Sequence, residues 1–329
     1  MRRLNRDEII VPNFGHGDES LELLGFQRGF VWRKSQMDRF IESLLLGFPI
    51  PGIMLVQQLD KRYLVLDGQQ RLKTLQAFYS GTHGNKVFAL ENVAEEFKGL
   101  TYKTLDSEQR RTIDNTFIQA TIVRTDGSDR SLDSVYQVFE RLNSGGTQLT
   151  AHEIRIALYP GKMIDFLAEL NSDVHWRSIY GPLSPRLRDQ ELILRILAQF
   201  HRGNEYARPL KKFLNDFVAD HRNLERLDVR RVRHVFVTAV EHLDAAGARQ
   251  AVRRAGARIN AAMLEAVTYA AMHAVNDGRE LSTESVTKAL GSLMSDDNME
   301  ASVSGSTATE DNVRRRLQLA VAAFGENEE

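Results

Sequence analysis

The spacing of hydrophobic and polar residues changes about halfway along the 329-residue chain. Before residue 150, short runs of β-forming residues alternate with glycine-containing turns and a few amphipathic segments. Beyond that point, apolar residues recur at every third or fourth position in almost every segment, as in amphipathic helices. The pattern predicts an α+β protein with a sheet-containing domain, residues 1–150, followed by a mostly α-helical domain, residues 151–325.

The first 81 residues predict a helix, a β-hairpin and a second helix in succession. The first helix has Ser35 as its N-cap and Asp38 in its first turn. Five apolar residues form its core-facing stripe: Met37, Phe40, Ile41, Leu44 and Leu45. The segments "GIMLVQQ" and "RYLVLD" are typical of two paired strands, and a short amphipathic helix follows from Leu72 to Gly81.

Three further segments are predicted from local signals. Residues 116–124 form a strand, and Ser131–Leu142 form a helix with one apolar face. In the helical half, residues 295–311 are rich in small and polar side chains, and we expect a loop there.

The stretch "VLDGQQR", residues 65–71, puts polar residues where a strand gives way to a helix. Backbone N–H groups at a helix N-terminus and the helix dipole favour anions, and Gly68 would let a phosphate approach closely. Gln69 and Gln70 offer side-chain amides, and Arg71 offers a planar fork of donors. Asp67 fits a metal ligand, a general base or a helix cap. The alternative is an ordinary turn with Asp67 as cap and the other side chains solvated.

Two other stretches suggest contacts with phosphates or bases. In "FQRGFVW", residues 26–32, aromatic side chains flank Gln27 and Arg28, which suits base stacking or an edge strand with Arg28 outward. Farther along, Asn143, Gly145 and Gly146 would form a backbone nest for an anion.

Residues 150–155, "TAHEIR", follow that glycine pair. Thr150 and Glu153 match a capping box, which by itself gives Glu153 a structural role. A role for Glu153 at a phosphate site is the alternative.

Arginine is concentrated in three places in the helical half. The residues are Arg186, Arg188 and Arg195, then Arg230, Arg231 and Arg233, then Arg253, Arg254 and Arg258. Arg195 would pair with Glu191 within one helix, and most of the others would be solvated. The alternative is a groove that binds nucleic acid.

Overall composition narrows the classes of function. The 43 Lys and Arg residues balance 44 Asp and Glu residues, so only local patches would attract nucleic acid. The chain has no cysteine, which excludes disulfides, thiolate metal sites and cysteine nucleophiles. Its nine histidines follow no metal-binding spacing, and no window is apolar enough for a signal peptide or membrane span. We therefore expect a cytoplasmic protein without an intrinsic hydrolytic metal centre.

Four stretches, in order, resemble the N-terminal domain of GmrSD-type restriction proteins. They are "FQRGFVWRKSQMDRFIESLLLGFPIP", "YLVLDGQQRLKTL", "VFERLNSGGTQLTAHEIRIALY" and "RLRDQELILRILAQF". Family members commonly carry "YQRPYVW" and "NTGG" where this chain has "FQRGFVW" and "NSGG". The resemblance implies a ParB/sulfiredoxin-like mixed sheet at the core. Full-length members often add an HNH nuclease domain with a histidine motif, and we expect that domain to be missing here because the chain has no matching histidine cluster.

The resemblance implies a nucleotide site at "DGQQR" in a phage-defence system. Asp67, Gln69, Gln70 and Arg71 would carry out NTP hydrolysis, with Mg²⁺ on Asp67. The remaining phosphate-binding residues would be Gln27, Arg28, Gly68, Asn143, Gly145 and Gly146, together with Arg71. Glu153, Arg155 and Arg188 would lie behind these residues and hold them in position.

Two other functions compete with an NTP-dependent sensor. One is a DNA- or partner-binding module that uses the same phosphate site without catalysis, and the other is an intrinsic nuclease. Expected partners are a nucleotide, DNA and a separate nuclease or defence-system subunit, and a homo-oligomer also stays open.

Overall fold

The structure, a computed structural model, describes residues 9–10, 32–57, 63–142, 150–253 and 258–325. The chain divides into two compact units, Met1–Leu149 and Thr150–Glu329, called here the N-terminal unit and the helical unit. The α+β class and the helical C-terminal part are confirmed. The ParB/sulfiredoxin-like likeness of the sheet stays a prediction.

The N-terminal unit contains both sheets of the described chain. Its elements are β1 (Ile9–Ile10), α1 (Lys34–Leu45), β2 (Ile53–Gln57), β3 (Tyr63–Asp67), α2 (Gln69–Ser80), β4 (Thr82–His83), β5 (Lys86–Val87), α3 (Ser107–Asp114), β6 (Ala120–Arg124) and α4 (Asp129–Leu142). The larger sheet has the strand order β1-β3-β2-β6, with β2 and β3 antiparallel and both outer strands parallel to their neighbours. The paired strands of the predicted hairpin are therefore confirmed.

Helix α1 differs from its prediction at the N-terminus. It begins at Lys34 with Arg33 as N-cap, because the Gln36 side chain accepts the backbone N–H of Arg33 at 3.0 Å; Ser35 as N-cap was wrong. Asp38 is completely buried, pairs with Lys34, and accepts from the side-chain amide of Asn92 at 2.8 Å. Asp38 therefore ties α1 to a loop 54 residues away.

The apolar stripe of α1 packs as its periodicity predicts. Met37, Ile41 and Leu44 are at most 1% exposed and join Phe78 of α2 and Phe88 in one core cluster. Burial of these side chains fixes α1 and α2 against each other, and the first turn of α2 contains most of the predicted site.

The helical unit is built from eleven helices among its described residues. They are α5 (Ala151–Leu158), α6 (Lys162–Asn171), α7 (Val174–Tyr180), α8 (Arg188–Arg202), α9 (Leu210–Asp220), α10 (Val229–Ala245), α11 (Ala248–Ala251), α12 (Ala261–Asn276), α13 (Thr283–Met294), α14 (Asp297–Ser304) and α15 (Glu310–Gly325). In the described part of the chain, no helix has the length and hydropathy needed to cross a membrane.

The loop predicted at residues 295–311 was wrong over much of its length. Asp296 caps α14 by accepting the backbone N–H groups of Asn298 and Met299 at 2.7 and 2.9 Å. Met299 and Val303, four residues apart, are buried on one face. Two apolar residues at helical spacing are enough to stabilise α14, because neighbouring helices cover them.

Candidate functional site

The "DGQQR" stretch forms the turn between β3 and α2. Asp67 ends the strand, Gly68 is the N-cap, and Gln69 opens the helix. The Leu72 N–H donates to the Gly68 carbonyl at 3.0 Å, which closes the first helical turn. Because Gly68 occupies the cap position, the interpretation of Asp67 as the helix cap was wrong.

Gly68 is required by two independent constraints. Its φ of +94° lies in the left-handed region that side chains disfavour. A Cβ placed there would lie 2.3 Å from Cγ2 and 3.0 Å from Cβ of Ile53 on β2. The glycine therefore allows the turn to pack closely against the neighbouring strand, whatever the turn binds.

Arg71 joins the turn to the start of β2. Its Nη2 donates to the Gly52 carbonyl and to Asp67 Oδ2, both at 2.8 Å. The side chain is only 14% exposed, and its Nε is buried without a hydrogen-bond partner among the described residues. Arg71 therefore holds Asp67 in place, and its own guanidinium provides a positive charge close to the N-terminus of α2.

Asp67 is the most accessible charged group of the turn, with 49% of its side chain exposed. Only Oδ2 contacts Arg71, so the carboxylate also faces solvent. Within the ranges that the structure describes, no three His, Cys, Asp or Glu side chains form a group suited to a metal ion. A metal at Asp67 would therefore need most of its ligands from phosphate and water, as Mg²⁺ commonly does with nucleotides.

The two glutamines occupy different environments. Gln70 is buried, and its Oε1 accepts the backbone N–H of Trp32 at 3.3 Å, which links α2 to the residues before α1. The Gln70 carbonyl also accepts the hydroxyl of Thr74 at 2.8 Å. Gln69 is only partly buried. Gln70 thus supports the turn, and Gln69 is the better placed of the two to meet a ligand.

Residues 11–160 match the family model described as the GmrSD restriction endonuclease, N-terminal domain. Residues 11–160, a little under half of the chain, form a GmrSD-type N-terminal domain. The resemblance is confirmed for the three of the four motifs that lie in that range, and it links the chain to restriction systems. The fourth motif, residues 186–200, lies beyond the match. Searches of curated proteins and of solved structures found no match.

The GmrSD-type match also covers site residues about which the structure says nothing. Gln27, Arg28, Asn143, Gly145 and Gly146 lie outside the described residues. Their assignment to phosphate binding stays a prediction. The structure therefore brings together Asp67, Gly68 and the three residues that follow, 69–71.

Glu153 belongs to the helical unit and has several partners there. The capping box is confirmed: Thr150 Oγ1 accepts the Glu153 N–H at 3.2 Å, and Glu153 Oε2 accepts the Thr150 N–H at 2.6 Å. Both oxygens of the fully buried carboxylate also accept from the guanidinium of Arg186, at 2.9 to 3.2 Å. These contacts anchor the start of α5.

Arg155 and Arg188 have contrasting environments in the same unit. Arg155 is fully buried, donates from Nε to Asn215 at 2.9 Å, and lies 3.1 Å from Nδ1 of His152. Burial and then the charge of Arg155 lower the pKa of His152 well below its usual range. Arg188 is exposed at the first position of α8.

Arginines of α7, of α11 and of the segment that follows α11 lie around Tyr180, a feature that the sequence did not reveal. The Arg177 guanidinium stacks 5.2 Å from the tyrosine ring, and Arg253 donates to the Tyr180 carbonyl at 2.8 Å. Arg249 donates to the Ser178 carbonyl at 2.5 Å. Burial and then Asp189 raise the pKa of Tyr180, while Arg177, Arg188 and Arg253 oppose that rise.

We call Arg188, Arg249 and Arg253 the arginine surface. Arg177 is excluded because it donates inward to Asp189 at 2.8 Å. Among the described residues, Arg188 and Arg249 form no ion pair with a carboxylate. By contrast, Arg202, Arg208 and Arg233 are each paired with one.

Proposed function

We propose that the GmrSD-type domain binds a nucleoside triphosphate at the "DGQQR" turn and hydrolyses it as a sensor or regulatory component of a phage-defence restriction system. One observation supports this most directly: Arg71 holds a half-exposed carboxylate beside the N-terminus of α2. Such a helix end favours phosphate, and a fixed carboxylate provides a ligand for a metal ion or a base for water.

In this proposal each residue of the turn has a separate task. The phosphates would lie at the N-terminus of α2, where the helix dipole and the cationic Arg71 stabilise negative charge. Asp67 would hold Mg²⁺ through one carboxylate oxygen or orient the attacking water, and Gln69 would donate to the phosphates or to that water. Gly68 and Gln70 would keep the turn in shape. Phosphoryl transfer depends mainly on such positioning and charge neutralisation.

The NTP with Mg²⁺ is the cofactor that this arrangement suits. Asp67 would be the residue that holds Mg²⁺, which would supply positive charge to offset the negative charge that develops on the phosphates. We further propose that the protein acts in the cytoplasm and that nucleotide binding changes its contacts with DNA, with a separate nuclease or defence-system subunit, or with a second copy of the chain.

The test is nucleotide turnover by the Asp67→Asn variant against a matched control. Asp216 is 46% exposed and bonds Lys212 at i, i+4, just as Asp67 bonds Arg71, so Asp216→Asn removes the same kind of charge elsewhere. We expect Asp67→Asn to lower turnover about 10²-fold or more and Asp216→Asn to leave it unchanged. Thermal unfolding of both variants checks that they are folded.

Equal NTP turnover by the wild type and Asp67→Asn would contradict the proposal. Mg²⁺-dependent nicking of DNA by the purified wild-type chain would instead favour an intrinsic nuclease. In that case the nicking activities of Asp67→Asn and Asp216→Asn would show whether the turn takes part in DNA cleavage.

A second candidate function, binding of nucleic acid without catalysis, is favoured by the arginine surface. Among the described residues, two of its guanidinium groups pair with no carboxylate, and guanidinium forks bind phosphate well. If both contact DNA phosphates, the double variant Arg188→Gln/Arg249→Gln would reduce the slope of log affinity against log salt by about 1.8. Arg230→Gln, at an exposed arginine of α10, is the control and should change the slope less.

The two candidate functions are separable by experiment. DNA binding that falls steeply with salt and does not respond to NTP would favour the second function alone. NTP turnover that survives in the arginine double variant and disappears in Asp67→Asn would favour the first.

A further inference from the structure

A charge cluster lies in the core of the helical unit, among α8, α12 and α15. Glu265 is fully buried, and its Oε2 accepts from Nη2 of Arg195 at 2.6 Å and from Nη2 of Arg316 at 2.7 Å. Arg316 is fully buried as well, and the Arg195 side chain is 15% exposed. Two cations therefore share one carboxylate, which leaves a net charge of +1 in a poorly solvated place.

Helices α8 and α12 run side by side in the same direction at this point. The Arg195–Glu265 ion pair joins them at one level, and the rings of Phe200 and His273 lie 4.8 Å apart farther along both helices. Gln199 follows Arg195 by one turn, and Thr268 follows Glu265 by nearly one turn. Both therefore belong to the layer of the helix interface next to the ion cluster.

A second set of distances places Gln199 at this interface. A Cβ built on Gly203 would lie 3.4 Å from Oε1 of Gln199 and 3.9 Å from the hydroxyl of Tyr269 on α12. Gln199 is 1% exposed and Thr268 is fully buried. The Gln199 amide and the hydroxyl of Tyr269 thus both lie near the same point beside Gly203, and the amide is away from bulk water.

Six buried polar atoms of this cluster have no hydrogen-bond partner among the described residues. They are Nε of Arg195, Nε of Arg316, Oγ1 of Thr268, Oε1 of Glu265, and both Oε1 and Nε2 of Gln199. Buried polar groups are almost always bonded, so such a concentration needs a physical explanation. Donors exceed acceptors in this set, because the two Nε atoms and the amide nitrogen only donate and the hydroxyl also can.

We propose that this layer between α8 and α12 is an internal binding site for a small anion, with Arg195, Arg316, Gln199 and Thr268 as its donors. An anion accepts several hydrogen bonds and offsets the excess positive charge at the same time. Water can donate and accept hydrogen bonds, so it would satisfy both kinds of group. It carries no charge, however, and would leave the excess positive charge of the cluster uncompensated.

The ligand class follows from the donors. Chloride and the oxygens of phosphate both accept from guanidinium, amide and hydroxyl groups, so either source fits the same chemistry. Entry would be on the side of Arg195, whose side chain is the least buried of the cluster. The site lies in the helical unit and does not depend on nucleotide binding at the "DGQQR" turn.

The first test is thermal unfolding of the full chain in sodium chloride, sodium phosphate and sodium gluconate at equal ionic strength. An anion that binds the folded state at a hundredfold excess over its Kd raises the Tm by about 5–10 °C. We expect a concentration-dependent rise with chloride or phosphate relative to gluconate, and the better of the two identifies the source. The double variant Gln199→Leu/Thr268→Val should lose that rise.

The matched control is Thr287→Val, at an exposed threonine of α13, which should keep the full anion-dependent rise. Anomalous diffraction from crystals soaked in bromide provides a second readout that does not depend on stability, with a peak expected between α8 and α12.

Two results would overturn the proposal. If the wild type and the double variant respond equally to all three salts, and no bromide peak appears, the layer holds water only. If the double variant is more stable than the wild type in every salt, the polar atoms are unsatisfied and nothing binds there.

Discussion

Replacement of Gly68 by alanine tests whether the close packing of the turn against β2 determines the geometry of the candidate site. The added Cβ would lie 2.3 Å from Cγ2 of Ile53, a distance at which atoms must move, and the backbone φ is +94°. The left-handed conformation costs a non-glycine residue about 1–2 kcal/mol. Overpacking against a buried strand adds about 1–3 kcal/mol. We therefore expect Gly68→Ala to lower the free energy of unfolding by about 2–5 kcal/mol.

Gly81, at the other end of α2, separates the cost of the left-handed backbone from the cost of overpacking. Its φ is +78°, and a Cβ there would have no atom of the described residues within 4 Å, so Gly81→Ala should cost only the conformational part, about 1–2 kcal/mol. Urea unfolding followed by circular dichroism measures both variants. The difference between them is the contribution of the contact with Ile53.

A double-mutant cycle makes this reasoning refutable. Ile53→Ala removes the Cγ2 atom that the new methyl group would meet, at a cost of about 2–5 kcal/mol when made alone. The double variant Ile53→Ala/Gly68→Ala should then be more stable than the sum of the single effects predicts, by about 1–3 kcal/mol. Equal losses for Gly68→Ala and Gly81→Ala, or strict additivity in the cycle, would show that the steric argument is wrong.

Two further predictions concern buried ionisable groups. Asp38→Ala should lower the free energy of unfolding by about 3–5 kcal/mol in urea, because it removes the buried carboxylate that pairs with Lys34 and accepts from the backbone and side-chain amides of Asn92; a loss no larger than that of the exposed Asp216→Asn would contradict it. The lowered pKa of His152 means that only the unfolded state binds a proton there as pH falls below the ordinary value of 6.5. Stability from this group is complete above pH 6.5 and decreases below it by up to about 1.4 kcal/mol per pH unit. In unfolding experiments between pH 4 and 7, His152→Gln should weaken this loss of stability at low pH, whereas His234→Gln, at an exposed histidine, should leave it unchanged. An equal loss of stability at low pH in both variants would refute the assignment.

Local sequence patterns were sufficient to predict those features that depend on residues close together in the chain. The stripe of α1, the two paired strands, the turn at Gly68 and the Thr150–Glu153 capping box all involve spacings of four residues or fewer, or alternation along one strand. Hydrogen bonds and apolar faces at such spacings are properties of the segment itself. The motifs of residues 11–160 likewise indicated the GmrSD-type domain before any fold was considered.

Tertiary structure decided what each of these residues does. Asp38 was expected in the first turn of α1; it lies beyond that turn and is buried against a loop far along the chain. Gly68 was predicted to bind phosphate, which stays a prediction, and a Cβ at Gly68 would also collide with Ile53. Arg71 was predicted to anchor the phosphate, and it also donates to Gly52 and Asp67.

The arginine surface and the buried Glu265 cluster gather residues from helices distant in sequence. A sequence specifies which side chains are charged or apolar and at what local spacing. Burial and partner choice depend on which segments pack together, and that is settled only when the whole unit has folded.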